Sequence, residues 1–228
     1  MVYDLIKERL LEGAYRAGER VVVEPLKAEF GVSKQPIMEA LRRLASEGLV
    51  EIIPQVGCRV PVYSPRDVAD FFAVFGGMEG AVAGVAAHRH EPGQLDELVR
   101  INTAIATLSD DPRPAARAHR YRVLNREFHA TIHAMAHSDV VAGISRRMWD
   151  LSDLLINTGG VDQPLAMAVT GRHNDHERII GALRERDHRR ARAEMEAHIL
   201  GTVIIIQPAS GMSGDRQVGP IGRSGRSV

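Results

Sequence analysis

Ten histidines are many for a chain of 228 residues, and three of them fall at spacings that can converge on a metal ion. His176 and His198 lie 22 residues apart, which on one continuous helix would be roughly 33 Å. The polar stretch 184–187 lies midway between them. Positions equidistant from the turn of an antiparallel helical hairpin come level, so both imidazoles can enter one bundle interior. Asn125 and His129 form an i, i+4 pair and share a face of an earlier helix. Three imidazoles and one carboxamide oxygen suit a borderline divalent ion, Zn²⁺ or Ni²⁺. His133, one turn beyond His129, is a weaker substitute. His88, His90, His119, His137, His173 and His188 fall near helix ends or on solvated faces. A His-rich site with an open position can activate water, but no Glu or Asp is placed to serve as its base. Ser, His and acid do not line up for nucleophilic catalysis, and Gly76-Gly77 has no phosphate loop around it, reading instead as helix packing. These residues point away from an enzyme.

The elements that must position these groups are helices. Lys plus Arg and Asp plus Glu balance at 29 each, apolar residues make up 44% and aromatics only 4%. That composition favours a helical globular protein over a β-sandwich. Helical spacing predicts segments at about 66–89, 93–108, 113–136, 138–157, 164–186 and 188–206, with Pro, Gly or polar breaks between them. Short connections imply a six-helix antiparallel bundle. Trp149, Met148, Leu151 and Leu154 form a stripe read as core or dimer packing. The tail 207–228, rich in Gly and Ser, is expected to be disordered.

Ahead of the bundle, residues 1–63 read as a separate small unit. Val2, Leu5, Ile6 and Leu10 recur at helical spacing, and 23–30 forms a second short helix ending at Gly31-Val32. Ser33 then stands where an N-cap belongs, with Pro36 in the first turn of a helix over 34–47. Two short helices joined by a Gly-containing turn make a helix-turn-helix. The β-branched runs 49–53 and 58–62 flank a Pro/Gly turn and predict a hairpin. The fold class expected is therefore mostly α, an N-terminal winged helix-turn-helix followed by the bundle. A helix fits the major groove and its first turns reach base edges. That selects Ser33, Lys34, Gln35 and Met38, with Arg42 further along, while Arg59 beside Gly57 on the wing can reach phosphate or minor groove. Residues 1–63 hold nine basic and nine acidic side chains, so non-specific affinity for DNA is expected to be modest. The single cysteine, Cys58, excludes an internal disulfide, and no membrane or secretion signal is evident, so a cytoplasmic protein is expected.

The segment GVSKQPIMEALRRLASEGLV, residues 31–50, resembles the recognition-helix signature of GntR-family transcription regulators. Ala17-Gly18-Glu19-Arg20 is similar to the family's loop before the second helix, with Ala17 at a usual proline, and Gly57-x-Arg59-Val60 matches its wing. The helical remainder resembles the FadR-like subgroup, whose effector domain is an all-helical bundle of the FCD type. The resemblance implies a homodimer on a palindromic DNA operator, commonly a repressor released by a small effector. It also implies a divalent-metal site, with Asn125 where the subgroup usually has Asp, followed by His129, His176 and His198. Arg is usual in the subgroup where this chain has Lys34 and Met38. Arg reads guanine bidentately, Lys only partly and Met not at all, so an unusual operator is expected. Phe75 occupies the place of an Arg that commonly meets an acid effector, four residues before Glu79. A less acidic ligand, or one held chiefly through the metal, is the corresponding expectation. The alternative is a regulator in which the ion itself is the effector.

Overall fold

The structure is a computed structural model that describes residues 1–206 apart from Val56. The expectation for the 207–228 tail lies outside these residues. The first unit begins with α1 (Val2–Leu11), then a two-residue strand β1 (Arg20–Val21), α2 (Val23–Phe30) and α3 (Lys34–Ser46). Two short strands, β2 (Glu51–Ile53) and β3 (Gly57–Arg59), complete it. The hairpin is shorter than the β-branched runs suggest, because Leu49, Val50 and Val60 serve the core outside the strands. The sheet order is β1-β3-β2, all antiparallel, with Arg20 opposite Arg59 and Glu51 also opposite Arg59. The extra strand β1 comes from a segment read only as a loop. Its pairing partner is some forty residues away, so no local pattern marks it.

The second unit holds α4 (Pro65–Arg89), α5 (Gln94–Ala106), α6 (Pro114–Ala136), α7 (Asp139–Thr158), α8 (Pro164–Arg184) and α9 (His188–Ile206). A 3-10 turn over Thr107–Asp110 takes the end of the segment expected to finish the second bundle helix. Ser64 caps α4 reciprocally with Asp67: the Ser64 hydroxyl accepts from the Asp67 N–H at 3.1 Å, and the Asp67 carboxylate accepts from the Ser64 N–H at 3.1 Å. By length and composition α4 is apolar enough to cross a membrane, with a mean hydropathy of 1.4. Here Val68, Phe72, Phe75 and Val82 enter the bundle core.

Its small residues allow α9 to approach closely. A Cβ on Gly80 would stand 2.9 Å from the Arg192 carbonyl oxygen and one on Gly84 3.1 Å from that of His188. Gly76 continues this stripe against Glu196 and Ile199, whereas Gly77 faces open space. The packing glycines thus recur every four residues and are not the adjacent pair.

Each unit has its own apolar core. Ile6, Leu10, Leu26, Ile37, Leu41, Leu44, Leu49 and Val60 fill the first. Leu154, fully buried on α7, packs into that first core although it belongs to the bundle. Around it, Lys7 pairs with Asp150, Arg122 with Glu8, and the Asn157 carboxamide donates to the Leu11 carbonyl at 2.8 Å. The helix-turn-helix unit is therefore seated on α6 and α7.

Candidate metal centre and nucleic-acid interface

The hairpin of α8 and α9 turns at residues 185–187, and His176 and His198 meet as the equal spacing requires, with ring centroids 4.8 Å apart. From α6, His129 lies 5.8 Å from the His176 ring and 5.3 Å from that of His198. One nitrogen from each of the three falls within 4.8 Å of the others, and all three side chains are buried. Both nitrogens of His129 and Nε2 of His176 have no hydrogen-bond partner. A buried unsatisfied polar atom costs about 1–3 kcal/mol, so a coordinated cation would relieve a cost the protein otherwise carries. The residues present fit such an ion.

Neighbours orient the rings for this. His176 Nδ1 donates to Asn102 Oδ1 at 3.2 Å, which leaves Nε2 as a free lone pair. His198 Nδ1 faces Asp175 Oδ2 at 3.2 Å, the carboxylate–histidine arrangement that sets tautomer and basicity in metal sites. Asp175 is held below the usual carboxylate value: burial opposes this, but the His198 hydrogen bond and charge, with Arg172, outweigh it. Burial, then the neighbouring His198, hold His129 and His176 well below the ordinary histidine range. Burial also takes His198 down to about 4, against the opposing pull of Asp175. All three are therefore neutral near pH 7, the state a metal requires.

Asn125 is buried and lines a small cavity with Tyr121, Arg172, Trp149 and His198. Its Oδ1 already accepts the Tyr121 hydroxyl at 3.0 Å, leaving one lone pair for an ion. That cavity measures about 10 Å³, the size of one ion or water and far below a metabolite. Phe75 does not line it. It is fully buried, with its ring edge-on to Trp149 at 4.9 Å, and Trp149 in turn lies 4.2 Å from the His129 ring.

Several participants lie outside the expected ligand set. Glu79, 1% exposed, accepts from Ser145 at 2.6 Å and from His133 Nε2 at 3.0 Å, and its other oxygen is 3.8 Å from His129 Nδ1. His133 thus belongs to a second layer behind the three imidazoles. Arg172, 5% exposed, donates to the His198 carbonyl at 2.6 Å and brings a guanidinium that nothing in its spacing announced. His90, read as a surface histidine, is buried on the Leu183 carbonyl at 3.1 Å.

In the first unit the chemistry lies on the outside. Ser33 occupies the N-cap position of α3 with no side-chain capping bond, so its hydroxyl stays open. Ser33, Lys34, Gln35 and Arg42 are exposed, while Ile37, Ala40, Leu41 and Leu44 form the buried face. Lys34 and Arg42 have no ion-pair partner among the described residues, whereas Gln35 touches Glu39 at 3.3 Å. Met38 does not stand in this exposed row. It packs against the core and lines an apolar groove with Leu41, Ile52 and Cys58. On the wing, Gly57 is exposed at φ 123°, and Arg59 pairs with Glu51 at 2.8 Å. Arg20, opposite Arg59 in the sheet, is an exposed cation that the sequence pattern did not single out.

The even charge count also resolves here. Glu8 and Glu12 face Arg122 and His119 of the bundle, and Glu29, Glu24 and Glu47 pair with Arg9, Lys27 and Arg43. Most acids of this unit are thus paired, although exposed Glu39 on α3 is not, and Lys34 and Arg42 on α3 keep no ion pair among the described residues.

Comparison with known proteins agrees with this division. Residues 1–60 match the family described as bacterial regulatory proteins, gntR family, and residues 70–201 match the FCD domain. The HTH-type transcriptional repressor GlaR of Escherichia coli (strain K12) is 24% identical over 209 residues, 91% of this chain and 94% of that protein. The uncharacterized HTH-type transcriptional regulator YdhC of Bacillus subtilis (strain 168) is 21% identical over 86% of this chain and 85% of its own length. Among solved structures, E. coli McbR/YncC superposes with a TM-score of 0.75 at 18% identity, covering 91% of this chain and 95% of that one. A GntR regulator from Rhodococcus sp. RHA1 gives 0.71 at 16% identity, covering 91% and 96%. These structural likenesses concern the fold. With its helix-turn-helix unit and its FCD unit both matched, this chain belongs to the GntR family of DNA-binding transcription regulators.

Proposed function

We propose that the protein is a cytoplasmic, homodimeric repressor whose grip on a palindromic operator is released when a small molecule binds the helical unit, and that this unit carries a resident divalent cation, Zn²⁺ or Ni²⁺. His129, His176 and His198 would hold the ion, with Asn125 as the neutral oxygen donor. Bound there, the ion supplies a fixed positive charge and ties α6, α8 and α9 together. The observation that carries this reading is that three helices bring one nitrogen from each of three buried histidines within 4.8 Å, with nitrogens of His129 and His176 left unpartnered. A two-fold dimer matches two half-sites, and exposed Val74, Val140 and Ile144 offer apolar surface for a second copy. On the DNA, Lys34, Gln35 and Arg42 would face the major groove, with Ser33, Arg59 and the backbone at Gly57 on phosphate. The metal-sensor alternative differs in one respect: removing the ion would by itself release the operator.

The test measures zinc content and operator affinity on the same preparations. Wild-type protein should hold one zinc per chain and lose thermal stability on chelation. His129→Ala should abolish stoichiometric zinc while retaining operator binding. Absence of zinc from protein never exposed to chelator, together with an unchanged melting temperature on zinc addition, would overturn the metal assignment.

A further inference from the structure

The sheet register places three charges of the wing in one row. In the order β1-β3-β2, Arg20 and Glu51 both stand opposite Arg59, one on each side of it. Directly opposed residues of antiparallel strands project to the same face of a sheet. The next positions, Val21, Ile52 and Cys58, project to the other face, where Val21 and Cys58 are buried. The outer face therefore carries two cations and one anion side by side.

The two cations are not equivalent. Arg59 is held by Glu51 at 2.8 Å. A phosphate reaching Arg59 has to displace that carboxylate and leave it unpaired beside the DNA backbone. Arg20 is exposed and has no hydrogen bond or ion pair among the described residues. Like charges directly opposite each other across strands are unfavourable, and the single acid of the row offsets only one of the two. The unmatched positive charge thus stays at Arg20. Arg20 also lines a groove of about 400 Å³ with Val22 and Val23 at the start of α2, Met38 of α3 and Gly57 of the wing. The free cation therefore stands where β1, the recognition helix and the wing meet, beside the helix that enters the major groove.

We propose that Arg20, rather than the carboxylate-bound Arg59, is the principal contact of the wing region with the DNA backbone, and that it takes a phosphodiester oxygen. This adds a residue to the contacts assigned above and places it ahead of Arg59. It rests on the DNA binding of the family and is independent of the operator, the effector and the ion. The phosphate supplies the second anion that the row of charges lacks. Such a contact fixes the orientation of the protein on the duplex and carries no base information, so it acts on every sequence alike. It also gives a unit with balanced charge a cation beside Met38, which offers none.

Full-length wild type and variants would be titrated with a short duplex of random sequence, with salt varied between about 50 and 200 mM. Each phosphate contact contributes about 0.9 to the slope of log affinity against log salt. Arg20→Gln should lower the slope by about that amount, so the affinity it loses shrinks about 3.5-fold across this range. Removing the paired charges together, Glu51→Gln with Arg59→Gln, changes no net charge and should leave the slope near wild type. Arg146→Gln deletes an exposed, unpaired cation on α7 of the bundle and should also leave it unchanged. None of these side chains is buried, so melting temperatures should hold. A wild-type slope in Arg20→Gln, or an equal drop in the Glu51 and Arg59 double variant or in Arg146→Gln, overturns the inference and leaves DNA binding itself standing. Wild-type protein that fails to bind duplex even at the lowest salt would sink the DNA-binding reading, and the role of Arg20 with it.

Discussion

The two halves of the molecule use polar residues in opposite ways. On the recognition helix, Lys34, Gln35 and Arg42 are solvated and await a partner from outside. In the bundle, His129, His176 and His198 are buried and neutral, and nitrogens of His129 and His176 have no partner inside. An exposed unpaired cation costs the folded chain almost nothing, whereas a buried unpaired nitrogen carries a desolvation penalty. The winged helix can therefore wait empty. The bundle, on the reading proposed above, would hold a cation, and losing it should register in stability before it registers in DNA binding. Leu154 is where the two halves stop being independent, since a bundle helix completes the core of the other unit.

The largest test of that contrast is Leu154→Ala. Truncating a fully buried leucine costs about 2–5 kcal/mol, and both units should melt together at lower denaturant, read by Trp149 emission and far-UV circular dichroism. Separate transitions would show the halves to be independent after all. Next comes His176→Ala, which should remove the stabilisation that zinc confers, about 2.7 kcal/mol when zinc is a hundredfold above its dissociation constant. Acid should act on the same cluster in metal-free protein. The folded-state values of the three histidines lie below the ordinary unfolded value, about 6.5, so the unfolded chain binds more protons between the two. Stability should thus be full above about pH 6.5 and fall as the pH drops toward about 4, the folded value of His198. A flat profile across that window in urea titrations would contradict buried neutral imidazoles.

Effects on the exposed side should be smaller and of another kind. Arg42→Ala should weaken operator binding by about 1–3 kcal/mol if it reads a base, or lower the salt slope by about one if it meets phosphate. Zinc content and melting temperature should not change. Smallest is the behaviour of Cys58, whose burial pushes the thiol up to about 11. Alkylation of the folded protein at pH 8 should be slow and should accelerate only in denaturant.

Much of this architecture is legible from residue order, because helix periodicity and hairpin symmetry are local. The face Ile37, Ala40, Leu41 and Leu44, and the equal distance of His176 and His198 from their turn, follow from 3.6 residues per turn and a reversal of direction. The bounds of α3, α6 and α9 fall within a residue or so of the expected ones for the same reason. Met38 shows the limit. Its position in the signature suggests a base contact, but only the tertiary structure shows that it is half-buried and lines a groove with Leu41, Ile52 and Cys58. β1 was hidden because a two-residue strand exists only through a partner distant in sequence.

At the candidate centre, residue types and spacing were enough to bring three histidines together. They could not show that Asn102 and Asp175 aim two of the rings, or that Glu79 stands behind the third. Periodicity says which face of a helix turns inward. What each inward side chain then meets depends on how neighbouring helices are spaced and rotated, down to the glycines at 76, 80 and 84 that let α9 close against α4. Only packing in three dimensions sets those distances.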